Sequence, residues 1–200
     1  MITDGVSFFS IDRAARRQTK TRTLEFNFGD GYTQRLVNGI NPLDEKYTVN
    51  FVNREESEIE DLILFFELKA GAEKFGFAPP HLNEFTDPGG TNLIQSGGQA
   101  RVNLFSSGFT DTVLSPSVPD MILIQGSTSN DGGYFLDKTQ TQGNNELYIA
   151  MAGWPGGSEF LKPITVHAAI AVVATDWTQV YTRDSINGLS VTFERVYEIS

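Results

Sequence analysis

Leu24, Phe26 and Phe28 alternate with Glu25 and Asn27, the period-2 pattern of a half-buried strand. Asp30-Gly31 supplies the left-handed backbone that a tight turn needs, and Tyr32 opens the return strand, so this stretch reads as a hairpin. In the next strand Tyr47, Val49 and Phe51 share one face and Thr48 and Asn50 the other. The period then changes. Ile59, Leu62, Ile63 and Phe66 recur at i, i+3, i+4, i+7, which predicts a helix packed across a β-sheet or barrel. Asn53 reads as its N-cap with Glu56 completing a capping box, and Lys69 and Gly71 mark its end. Leu64, Phe65 and Leu68 widen the apolar stripe. Two readings stay open for them: burial on a second side within the fold, or packing on another subunit.

From residue 81 to 160 the chain turns rich in Gly, Ser, Thr, Asn and Gln, with short strand-like runs at 101–105, 121–125, 134–137 and 147–151. Asn130-Asp131-Gly132-Gly133 is a strong turn signal between two of them. Such spacing predicts a small all-β unit. After Pro163, residues 164–174 read as a strand buried on both faces, followed by strands at 179–182 and 189–197 joined by an Asn187-Gly188 turn. The expected organisation is mainly β with one prominent α-helix. Residues 1–80 and 161–200 form a β domain, interrupted by a small all-β domain at 81–160.

Composition narrows the classes. The chain has 200 residues, enough for a real core, and no cysteine, which excludes disulfides and Cys-based zinc sites. No signal-peptide pattern or membrane-length apolar run is present. Synthesis in a reducing cytoplasm is expected. The net charge of −10 disfavours general nucleic-acid binding. Yet Arg13, Arg16, Arg17, Lys20 and Arg22 fall in one window without an acid. That window reads either as a contact with an acidic partner or DNA, or as a solvated segment that orders against neighbouring subunits. Residues 1–21 are therefore a candidate flexible arm.

Phe28-Gly29-Asp30-Gly31-Tyr32-Thr33-Gln34-Arg35 is followed by Asn38-Gly39-Ile40-Asn41-Pro42, the 47–51 strand, the helix ending at Lys69-Ala70-Gly71, and Phe75-Gly76-Phe77-Ala78-Pro79-Pro80. Trp177 precedes Val191-Thr192-Phe193-Glu194-Arg195-Val196. This order resembles the minor tail protein M family, the distal tail proteins of long-tailed, lambda-like bacteriophages, over about residues 22–80 and 161–200. The resemblance implies a tail-tube-like β-sandwich or barrel with a helix, and Gly29, Asp30, Gly31, Gln34, Arg35 and Trp177 as residues of shape. It implies a structural virion protein of the tail tip or baseplate, assembled as a hexameric ring. One side would join the tail-tube protein and the other the hub protein that carries the receptor-binding apparatus. The tape-measure protein and later the DNA would pass through the lumen. The intervening 80 residues depart from the family pattern. By analogy with other distal tail proteins they are expected to form a barrel of the oligonucleotide/oligosaccharide-binding type.

Chemistry is sparsely signalled. His81 and His167 are far apart in sequence, and His167 reads as a packed strand residue. No metal-ligand spacing, phosphate loop or nucleophile elbow occurs, so no cofactor, metal or catalytic residue is expected. The alternative function is a carbohydrate-binding module on the insert, with Tyr134 and Trp154 as stacking candidates. For Trp154 the favoured reading is a hydrophobic plug between the domains. A polysaccharide-degrading enzyme has no positive feature in its favour.

Overall fold

The computed structural model describes residues 1–3, 8–12, 14–39, 42–80, 82, 84–86, 90–96, 99–104, 121–137, 146–150, 157–182 and 185–197. In chain order the elements are β1 (Ile2–Thr3), β2 (Phe8–Phe9), β3 (Arg16–Thr21), β4 (Thr23–Asn27), β5 (Thr33–Val37), β6 (Leu43–Val52), α1 (Glu56–Lys69), β7 (Phe75–Phe77), β8 (Glu84–Thr86) and β9 (Thr91–Ser96). Then follow β10 (Gln99–Leu104), β11 (Met121–Gln125), β12 (Gly132–Phe135), β13 (Glu146–Ile149), β14 (Glu159–Lys162), β15 (Thr165–Thr182) and β16 (Ser185–Arg195). The chain is mainly β, with one helix among the described residues. It divides into two units, Ala14–Ala72 with Val173–Ile199, and Met1–Arg13 with Glu73–Val172.

The first, a sheet–helix unit, contains the strand order β15-β16-β6-β3. Register builds its core. Tyr47 pairs with Phe193, Val49 with Val191 and Phe51 with Leu189, so the alternation read in the sequence puts all six side chains on one buried face. Helix α1 covers that face with Ile59, Leu62, Phe65 and Phe66, all buried. The Phe66 ring lies 5.9 Å from Phe193 and 6.1 Å from half-buried Trp177. Phe65 meets Phe66 edge-on at 5.2 Å. Of the two readings of the helix stripe, burial within the fold holds for Phe65. Phe65 belongs to the chain's own core, while Leu64 and Leu68 point out to solvent, 55% and 72% exposed.

The helix N-cap is Glu55, and no side chain caps it. Asn53 instead takes a left-handed φ of 57°, which Asn tolerates, and turns the chain out of β6. At the other end Ala70 is itself left-handed and its N–H reaches the Phe66 and Glu67 carbonyls, with Gly71 left-handed behind it. Asn187-Gly188 is not a turn: it lies inside β16, with Gly188 opposite Val52. A Cβ there would stand 3.3 Å from the Phe51 carbonyl oxygen, so close backbone approach explains this glycine. Nor is the N-terminal segment a loose arm over its described part. Ile2 is buried and paired with Phe77, and β3 pairs along β6 from Arg16↔Thr48 to Thr21↔Leu43.

The second unit is built on two sheets. β9, β10, β13 and β14 form one, in the order β13-β10-β9-β14. The other is laid on the first part of β15, where β7, β8 and β11 pair and β12 joins β11. Leu93, Val102, Leu147 and Ile149 of one sheet pack with Ile122, Ile124, Val166 and Ala168 of the other in a single core cluster. The β11–β12 hairpin falls where the Asn-Asp-Gly-Gly signal places it. The sequence places domain boundaries at 80 and 161, whereas the units divide at 72 and 172. The reason is register: Phe75–Phe77 pairs with Ile170–Val172, and both join this unit. A third apolar cluster explains Gly76 and Gly133. Leu123 Cδ2 lies between them, 2.5 Å and 3.1 Å from where their Cβ atoms would be.

Candidate assembly surface

Strands β4 and β5 form a two-stranded ribbon of their own. Asn27↔Thr33 closes it toward the turn, where the Phe28 N–H donates to Tyr32 O at 2.8 Å and Gly31 takes a φ of 81°. Gly29 and Asp30 complete that turn. The turn chemistry is as read. The burial is not: every residue from Arg16 to Gly39 is exposed. Leu24, Phe26, Phe28 and Leu36 share one face of the ribbon with Gln34, at 44% to 56% exposure. Tyr32 and Val37 are more open still. The alternation is that of a half-buried strand, but nothing among the described residues buries its apolar side. On the opposite face Arg35 reaches Glu25 directly across the ladder at 3.3 Å. Arg35 thus finds a carboxylate on the neighbouring strand.

The ribbon is rooted beside a charged sheet edge. Arg22 links β3 to β4; its backbone N–H donates to Pro42 O at 2.6 Å and its carbonyl accepts from Asn38. Its guanidinium forks onto Asp44, the Nε at 2.8 Å, and holds that carboxyl below its usual range. Arg17 reaches the other side of the sheet and pairs with Glu45, which is 2% exposed. Arg195 from β16 joins the same carboxylate at 3.2 Å, and the Tyr47 hydroxyl donates to it at 3.0 Å. Burial pushes the Glu45 carboxyl up, but the hydrogen bonds from Arg17, Arg195 and Tyr47 outweigh it and hold it below the ordinary carboxylate range. Burial first, and the Glu45 charge second, raise the Tyr47 phenol. Sequence spacing could not signal this cluster, since Glu45 and Arg195 are 150 positions apart. Of the basic window, Arg17 and Arg22 are therefore spoken for, Arg16 and Lys20 hold no salt bridge among the described residues, and Arg13 lies outside them.

The carbohydrate candidates fare differently. Tyr134 is core, 3% exposed, and its hydroxyl donates to Asn130 O at 3.0 Å. It cannot stack on a sugar, because the β11–β12 register turns it into the interior. Trp154 lies outside the described residues. The exposed aromatic that β14 does present is Phe160, which no sequence motif marks. Next to it in sequence, Glu159 closes a turn. Its carboxylate accepts the Thr128 and Ser129 N–H groups at 2.8 and 3.0 Å and the Asn130 side-chain amide at 2.6 Å. Burial pushes this carboxyl up, but those bonds bring it below its usual value.

His167 sits in β15 with Nδ1 3.2 Å from Glu84, beside a cavity of about 500 Å³ that Ala78, Pro79, Pro80 and Leu82 also line. Burial lowers its pKa and Glu84 opposes that in part. Among the described residues no group of three or more His, Cys, Asp or Glu could hold a metal ion. No helix among them is long and apolar enough to cross a membrane.

The ribbon, β3 and α1 all fall in the part of the chain that a protein family recognises. Residues 7–89 match the sequence model of a family described as Phage minor tail protein. The match supports the resemblance read from the hairpin and helix. That family implies a structural protein of the virion tail, in contact with other tail components. No curated protein matches the chain.

Proposed function

We propose that this protein is a distal tail protein that closes with copies of itself into a ring at the tail tip. The observation that carries the reading is the uncovered apolar face of the β4–β5 ribbon inside the family-matched stretch. A two-stranded ribbon is marginal alone in water, so a partner surface is the natural place for Leu24, Phe26, Phe28 and Leu36. The ring, hexameric on the family resemblance, joins the last ring of the tail tube to the central hub, and the tape-measure protein and DNA pass through its lumen. Its work is assembly and symmetry matching rather than turnover. The ring contacts come from the sheet–helix unit. Light scattering on the purified protein, with negative-stain images of the same sample, tests this. The expected result is a closed ring with a central hole, formed alone or when the cognate tail-tube protein is added. A chain that stays monomeric at every concentration and never caps tubes refutes it.

A further inference from the structure

Two surfaces of the sheet–helix unit are apolar, exposed and opposite in charge. The first is the ribbon together with β3, its neighbour in the chain. Arg16, Gln18 and Lys20 stand on the side of β3 that faces Asp44, Lys46 and Thr48 across the ladder, away from buried Tyr47. The second is the outer stripe of α1. Glu60, Asp61, Leu64, Glu67 and Leu68 recur at i, i+1, i+4, i+7 and i+8, and all are exposed. Glu60, Asp61 and Glu67 hold no ion pair among the described residues.

We infer that, in the self-assembly proposed above, the ribbon and β3 edge of one copy dock on the outer face of α1 of the next copy. Three observations select a second copy and this pairing. Both surfaces carry apolar side chains that the chain itself leaves uncovered. A ribbon against a ribbon would bring Arg16 and Lys20 toward their own kind. A helix against a helix would do the same with its carboxylates. Only the crossed pairing sets cations against anions. The dimensions also agree: five residue pairs of ribbon extend about 17 Å, and fourteen helical residues about 21 Å. A contact between two different patches is heterologous, and repetition of a heterologous contact is what closes a ring.

The inference rests on the ring reading, and the test separates the two. The chain has no cysteine, so single reporters are clean. Gln34→Cys lies on the apolar face of the ribbon and Leu68→Cys on the helix, both at exposed positions. The two variants, tagged to differ in size, are mixed in equal amounts, alone and with tail-tube protein, and oxidised; circular dichroism checks the fold of each. The expected product is the mixed disulfide. It should fall on the order of tenfold when Glu60→Lys and Asp61→Lys are added. It should return when Arg16→Glu and Lys20→Glu complete the charge exchange. Closed rings in the images with no mixed disulfide, or with like-variant dimers equally abundant, overturn this contact and leave the ring standing. No rings under either condition overturns both.

Discussion

Glu45 is the residue whose loss should be felt most in the sheet–helix unit. It is 2% exposed and gathers Arg17, Arg195 and Tyr47 from three strands, including its own. The Arg195 side chain is 21% exposed, so its pair is worth a charge-assisted bond of about 1.5–3 kcal/mol. Arg17 is 45% exposed, and solvent screening reduces its share to about 1 kcal/mol or less. Glu45→Ala removes the anion and leaves the largely buried Arg195 without it, a loss of about 3–5 kcal/mol. Glu45→Gln keeps an acceptor for the Tyr47 hydroxyl and should cost roughly half as much. In a Trp154→Phe background the fluorescence of Trp177, which packs on Phe66, reports the unit that carries the cluster. At about 2–4 °C per kcal/mol, Glu45→Ala should lower its melting midpoint by roughly 6–20 °C. The pH dependence has a definite sign. The folded carboxyl is held below its unfolded value of 4.5, so the stabilisation is present at pH values above that. It is lost as the pH falls through the folded pKa, and Glu45→Gln should abolish that part of the acid sensitivity. A Glu45→Ala variant within about 0.5 kcal/mol of the parent would refute the reasoning, because only unburied pairs are worth so little.

Three further outcomes follow from particular contacts. Phe26→Ser with Leu36→Ser should leave the chemical-denaturation midpoint nearly unchanged, since neither side chain is buried within the chain, and should abolish the assembled species in light scattering. Gly76→Ala should cost about 1–3 kcal/mol in denaturant titrations, because the new methyl meets Leu123 Cδ2 at 2.5 Å inside a closed core. Shortening that neighbour with Leu123→Val should recover part of the loss. Glu159→Gln should speed amide hydrogen exchange at Thr128 and Ser129, whose N–H groups its carboxylate accepts; unchanged protection there would show that the turn holds without the charge.

What could be read beforehand, and what could not, divides along the range of the interactions. The helix was legible because Ile59, Leu62 and Phe66 obey a local period. The inward face of β6 was legible in Tyr47, Val49 and Phe51, and Asp30-Gly31 carried its own turn. The ribbon's register was therefore visible, but its burial was not. Alternation records that one face is meant to be covered without saying by which chain. The glycines misled where their reason was steric. Gly188 reads as a turn residue, yet serves the approach of the Phe51 backbone. Asn53 reads as a cap, yet bends the chain two residues earlier. The Glu45 cluster, and the strand pairing that assigns residues 73–80 and 161–172 to the two-sheet unit, depend on partners brought together only by the fold. In the assembly surface the motif residues from Phe28 to Arg35 stand together, while Trp177 is half-buried against Phe66, Phe65 is interior and Tyr134 is core of the other unit.

Strand β3 carries a consequence for the time before any partner is met. It ends its sheet, so one side of its backbone offers unpaired N–H and C=O groups to whatever extended chain comes by. Newly made copies at high local concentration would be prone to add edge upon edge into an open fibre. All six of its side chains are exposed, and three of them are cationic. A second β3 laid alongside would have to bring its own arginines and lysine against these. The like charges therefore disfavour edge-to-edge pairing of copies through this strand.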